Sequence, residues 1–194
     1  MMVLGLTGGI GMGKSTVAAM FAAHGIPCFN ADEAVHFLQA PHGEAIPALA
    51  AAFPGTVTDG VLDRAKLRAL VLADGAAMKR LEAIMHPMVR AAEALFVAEA
   101  EAGGKRAVLL DIPLLFETHG TDRLDKVITV SCPRDVQIAR VVARGVPLTQ
   151  VEAIIARQMP DAEKRKLADY IVETSGALEE TQRQVAAIIG ELGL

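Results

Sequence analysis

Cysteine is scarce in this chain. Cys28 and Cys132 are the only two, far apart in sequence and in apolar surroundings, so a disulfide framework is excluded and two buried free thiols are expected. A basic excess is missing as well. With 19 Lys and Arg against 23 Asp and Glu, the net charge is −4, which provides no general basic surface and excludes a non-specific nucleic-acid or membrane binder. Long hydrophobic runs are lacking: the uncharged central stretch, residues 45 to 58, is broken by Pro47 and Pro54 and is too short to span a bilayer. No positive charge precedes Lys14, and the first apolar residues lead into glycines rather than a cleavage site. No signal peptide is therefore read, and a cytoplasmic location is expected. The five histidines have no metal-ligand spacing. Aromatics make up only 4% of residues, and the apolar share rests on alanine and leucine, which favours many helices.

What is present alternates short apolar runs with helical patterns. Met2 to Thr7, Pro27 to Phe29, 106 to 110, 125 to 132 and Tyr170 to Glu173 read as strands, the first bounded by glycines. Helical character marks Lys14 to His24, ending at Gly25, then Arg134 to Arg144 and Leu178 to about Leu192. The segment "LTQVEAIIARQ" carries Thr149 and Glu152 at capping-box spacing. Residues 33 to 103 hold helical patterns and no convincing strand, with Asp63 as an N-cap and a long alanine-rich helix from Met88 to Ala102. The expected fold is α/β, a parallel five-stranded sheet flanked by helices, with ligands beyond the carboxyl ends of the strands.

"GLTGGIGMGKST", residues 5 to 16, carries the clearest chemistry. Gly8, Gly13, Lys14 and Ser15 satisfy G-x-x-x-x-G-K-[ST] at a strand-to-helix junction, the context that a phosphate loop requires. Side chains would hold an anion away, whereas glycines let the backbone N–H groups and the helix N-terminus approach it. Lys14 would reach the β- and γ-phosphates and Ser15 would offer its hydroxyl to Mg²⁺. The spacing lacks G-x-G-x-x-G, which disfavours a dinucleotide fold.

Asp32, just past the second strand, reads either as a base for an attacking hydroxyl or as a helix N-cap. Asp111, ending an apolar strand, reads as the second acidic position that holds Mg²⁺, or as a turn aspartate before Pro113. Arg140 and Arg144, four apart, with Arg157 on the next helix, read as a clamp on transferring phosphates or as a solvated basic face. The "DAEKRK" run at 161 to 166 reads as solvated surface. A nucleotide switch is disfavoured, because N-K-x-D is missing and no aspartate has glycine three residues later. Another small-molecule or nucleoside monophosphate kinase is the remaining alternative.

"LTGGIGMGKST", "NAD" at 30 to 32, "HPMV" at 86 to 89, "DIPLLFE" at 111 to 117 and "ADYIVETSG" at 168 to 176 occur in the order and spacing of the dephospho-CoA kinases, which the chain resembles over nearly its whole length. The resemblance implies transfer of the ATP γ-phosphate to the 3′-hydroxyl of dephospho-CoA. It implies a nucleotide core at 1–32 and 104–194, a lid at about 134–165, and a helical acceptor-binding insert at 33–103. ATP and Mg²⁺ are the implied cofactors, and a monomer or weak homo-oligomer is expected. Asp32 resembles the family's catalytic base, and Lys14 and Arg140 join it as catalytic candidates. Gly8, Gly9, Ile10, Gly11, Met12, Gly13, Lys14, Ser15 and Thr16 resemble the ATP loop, with Arg144 beside Arg140 in the lid. Arg64, His86, Leu114, Leu115 and Glu117 resemble acceptor-side residues, and Ser15 and Asp111 resemble metal-site residues. The sequence departs from the family's usual residues at Met12, where serine is usual, at Asn30, where an acid is usual, and at Thr174, where asparagine is usual.

Overall fold

The computed structural model describes all residues, Met1–Leu194, in two compact units, one formed by Met1–Phe29 with Val97–Leu194 and the other by Asn30–Phe96. The first unit is built on strands β1 (Met2–Thr7), β2 (Cys28–Asn30), β5 (Ala107–Asp111), β6 (Lys126–Ser131) and β7 (Tyr170–Glu173). They form one sheet in the order β2-β5-β1-β6-β7. β1 runs parallel to both β5 and β6, and β6 runs parallel to β7. Every residue of β5 is buried, and Leu4 and Leu6 of β1 are fully so, as strands covered on both faces require. Helices α1 (Lys14–Ala23) and α9 (Leu178–Glu191) supply Val17, Phe21, Val185 and Ile189 to the core against β1 and β6. Helices α6 (Arg134–Val142), α7 (Leu148–Arg157) and α8 (Asp161–Leu167) complete this unit.

The register decides what reaches the functional edge. Leu6 lies opposite Asp111, and Thr7 lies opposite Thr129, so Asp111 ends its strand level with the start of the glycine loop. One local reading changes here. The helix after Pro147 starts at Leu148 with Pro147 in the cap position and no side-chain cap, so Thr149 and Glu152 do not form a capping box. Pro147 already sits at φ −59 with its carbonyl accepting from Gln150 and Val151, which moves the cap two residues earlier than Thr149.

The second unit holds α2 (Ala31–Leu38), α3 (Ile46–Ala52), a hairpin of β3 (Val57–Thr58) and β4 (Val61–Leu62), and α4 (Arg64–Ala73). Its core gathers Leu38, Ile46, Leu49, Phe53, Leu67 and Met85. The hairpin departs from the strand-free reading of this region. Asp59 and Gly60 both have positive φ, 49 and 74, the conformation that a two-residue turn needs. Helix α5 (Gly75–Ala102) starts well before Met88 and runs through Pro87. Proline costs one backbone bond there, yet Ala77 and Met85 pack into the core, with Ile84, Met88 and Val89 against it, and hold the helix across the gap. Asp63 caps α4 as expected, accepting from the Lys66 N–H at 3.0 Å.

Candidate active site

The glycine loop leaves β1 and enters α1, and each of its glycines meets a neighbour. A Cβ on Gly8 would stand 2.7 Å from the Val130 carbonyl oxygen. Gly11 has φ +76, and a Cβ there would meet Val141 at 2.5 Å and the Gln137 carbonyl at 2.8 Å. No side chain caps α1, so its first-turn donors face whatever lies beyond Gly13. Ser15 and Thr16 are exposed in that turn, whereas Lys14 is half-buried and forms an ion pair with the buried carboxylate of Asp111.

The loop is gripped from α6 and from the segment after α7. Gln137 Nε2 donates to the Ile10 carbonyl at 2.8 Å, and the Ile10 N–H donates to Gln158 Oε1 at 3.0 Å. Met12 is a core residue: its sulfur accepts from the Cys132 N–H at 3.2 Å. Only its backbone is therefore available to a ligand. Thr174 Oγ1 donates to the Met12 carbonyl at 2.7 Å and accepts from Arg140 Nη1 at 2.9 Å, while Arg140 Nη2 donates to the Thr174 carbonyl. Arg140 thus ties the end of β7 to the loop. With exposed Arg144 and with Gly13, Thr16 and Gly176, it also lines a cavity of about 490 Å³. Arg157, also exposed, ends α7. Thr174→Val removes one donor and one acceptor from a buried site. A loss of about 1–3 kcal/mol is expected, read as a lower denaturant midpoint at unchanged slope.

The "DAEKRK" run is not a solvated face. Lys164 is 1% exposed and pairs with Glu117 Oε1 at 2.9 Å. Asp161 accepts from Ser131 Oγ at 2.7 Å, and Arg165 reaches both Ser131 and Glu173. Ala162, Glu163 and Lys166 are the exposed members of the run, and the last two pair with each other. The cause is the parallel sheet, which places α8 over β6 and turns Lys164 inward, with its carbonyl 3.5 Å from Thr129 Oγ1.

Among the acceptor-side residues, Leu114 is exposed, but Leu115 is fully buried with Phe116 and Val127, so it belongs to the scaffold. Glu117 also accepts from the Met159 N–H at 2.9 Å, and its Oε2 is buried without a partner. Burial pushes its carboxyl up, but the hydrogen bonds from Lys164 and Met159 outweigh this and hold it below the ordinary carboxylate range. A carboxyl held low in the folded chain stabilises it above the unfolded value, about 4.3, and that contribution is lost as pH falls through the folded value. Glu117→Gln is expected to flatten the fall of melting temperature on acidification below about pH 5. An unaltered acid slope would remove this group from the acid response.

In the second unit, Asp32 is exposed in the first turn of α2, and the cap is Asn30, whose Oδ1 accepts from the Glu33 N–H at 3.1 Å. Arg64 donates to His36 Nδ1 at 2.8 Å and to the His36 carbonyl at 3.1 Å. His86 is exposed on α5. Both cysteines are free; burial and then the Asp111 charge push Cys28 up to about 11, and burial raises Cys132. No helix is long and apolar enough to cross a membrane.

A family model described as dephospho-CoA kinase matches residues 2–180. The chain belongs to the dephospho-CoA kinase family. A dephospho-CoA kinase of Mesorhizobium japonicum is 56% identical over 99% of this chain and 97% of its own length. A crystal structure from Thermus thermophilus superposes with a TM-score of 0.85 at 37% identity, covering 98% of this chain and 97% of that one. The dephospho-CoA kinase of Campylobacter jejuni superposes with a TM-score of 0.72 at 25% identity, covering 98% and 96%. Like the rest of the dephospho-CoA kinase family, the chain is an ATP-dependent kinase with the parallel five-stranded core described above. Sequence reasoning missed Gln137, Gln158 and Lys164. For Gln137 and Lys164 the one signal was a polar residue at a buried helical position, which becomes visible only once the helices are placed, and Gln158, in the extended segment after α7, gave none.

Proposed function

We propose that the chain transfers the γ-phosphate of ATP to the ribose 3′-hydroxyl of dephospho-CoA, giving ADP and coenzyme A. The observation that carries this reading is Lys14 at the head of α1, paired with Asp111 at the end of β5, beside a loop in which Gly8 and Gly11 leave no room for a side chain. Lys14 meets the donor phosphates, and the loop amides and α1 N-terminus take their charge. Arg140 and Arg144 line the cavity beside Thr16 and add positive charge that stabilises the transferring phosphates. Asp32 takes the proton of the attacking hydroxyl. Arg64 and His86 contact the acceptor, with residues 33–103 as its binding insert and 134–165 as the lid. Because phosphoryl transfer is loose, positioning and charge neutralisation contribute more than base strength.

The Ser15 hydroxyl and the Asp111 carboxylate are hard oxygen donors of the kind Mg²⁺ takes. No group of three or more metal-binding side chains is present, which fits an ion held largely by phosphates and water. When bound, Mg²⁺ would neutralise phosphate charge. The partner is a small molecule, with no nucleic acid or membrane required, and the reaction belongs to the cytoplasm.

The test is to incubate the protein with ATP, Mg²⁺ and dephospho-CoA, with nucleoside monophosphates as competing acceptors, and to follow products by mass spectrometry. Coenzyme A as the only phosphorylated product is expected. A phosphorylated nucleotide in its place would overturn the acceptor assignment.

A further inference from the structure

Lys164 is the most deeply buried charge in the first unit, and the catalytic scheme above makes no use of it. Burying an ammonium is costly unless it is paired, so what Lys164 holds in place is informative. Its Nζ lies 2.9 Å from Glu117 Oε1 and 3.4 Å from the Pro113 carbonyl. That carbonyl also accepts from Thr7 Oγ1 at 3.1 Å, at the end of β1 where the glycine loop begins. Glu117 Oε1 takes the Met159 N–H as well, and the preceding residue, Gln158, grips the Ile10 N–H inside the loop. Residues 158–164 therefore bind the donor loop at one end and the 112–117 loop at the other. Gly9, Gln158 and Lys164 line one cavity of about 310 Å³ in this region.

We infer that Lys164 is a positioning residue for phosphoryl transfer, acting through Glu117 to hold the 112–117 loop and the phosphate loop as one assembly. The inference rests on the proposed reaction, with Leu114 on the acceptor side. The low-lying carboxyl of Glu117 agrees with it, since that carboxyl stays ionised at neutral pH. Lys164→Met alone would strand a buried carboxylate and threaten folding. The double variant Lys164→Met with Glu117→Gln removes both charges and keeps an oxygen for the Met159 N–H.

The experiment measures coenzyme A formation and the slow, acceptor-independent hydrolysis of ATP, both per folded protein. A merely structural role would lower the two in parallel. Positioning predicts that transfer falls about tenfold, a fraction of what a misplacement of about 1 Å costs, while hydrolysis and the KM for ATP stay unchanged. Lys164→Arg, which keeps the cation, is expected to retain most of the transfer rate. A transfer-to-hydrolysis ratio unchanged in the double variant overturns the inference, and so does failure of that variant to fold if Lys164→Arg lowers both rates equally. Failure of the unsubstituted protein to form coenzyme A overturns the proposed reaction, and is visible before any variant is made.

Discussion

Lys14→Ala is expected to lose ATP affinity and turnover together, with kcat/KM falling about 10³-fold, as when a preorganised group facing developing charge is deleted. Lys14 opens α1 directly after Gly13, whose φ of +92 turns the chain from loop to helix. The side chain is mostly buried, so its ammonium acts in a medium that screens charge far less than water does. The substitution also takes the cation from beside the buried Asp111 carboxylate, so the variant should melt earlier. Calorimetric ATP titration and steady-state kinetics, both corrected for folded fraction by thermal melting, separate the two effects. Unaltered ATP affinity in folded Lys14→Ala protein would contradict the phosphate-loop assignment.

Asp32→Asn is expected to behave differently, keeping ATP affinity while turnover falls by about 10²-fold or more, the lower part of the range for a lost general base. The lower part applies because a loose transition state asks little of base strength and more of orientation. Asparagine preserves the shape, and Asn30 rather than Asp32 caps the helix, so α2 should survive. The lost charge near the helix N-terminus costs at most about 1 kcal/mol. ATP titration beside single-turnover transfer to dephospho-CoA makes the comparison. Turnover equal to that of the unsubstituted protein would remove Asp32 from the mechanism.

The glycine loop, the strand order of events along the chain and the helix stops were legible because each depends on neighbours in sequence. Gly25, at φ +82 just past α1, and Asp63, as the cap of α4, act over four residues or fewer. The β3–β4 hairpin carried a readable Asp-Gly turn, but strands of two residues are too short for alternation to show. The helix expected from Met88 in fact starts at Gly75 and runs through Pro87, because packing around Met85 outweighs the local weakening by proline.

The sequence by itself determined the phosphate-loop pattern at residues 8 to 16, since its glycines, lysine and hydroxyls are neighbours in the chain on a strand-to-helix turn. Only the tertiary structure decided which side chains surround the loop. Asp111 meets Lys14 because β1 and β5 pair in one register, although 97 positions separate them. Lys164 is buried against Glu117 because α8 packs over β6, and Thr174 reaches the Met12 carbonyl across 162 positions. These partners come from strand pairing and helix packing between distant segments, which local residue patterns do not encode.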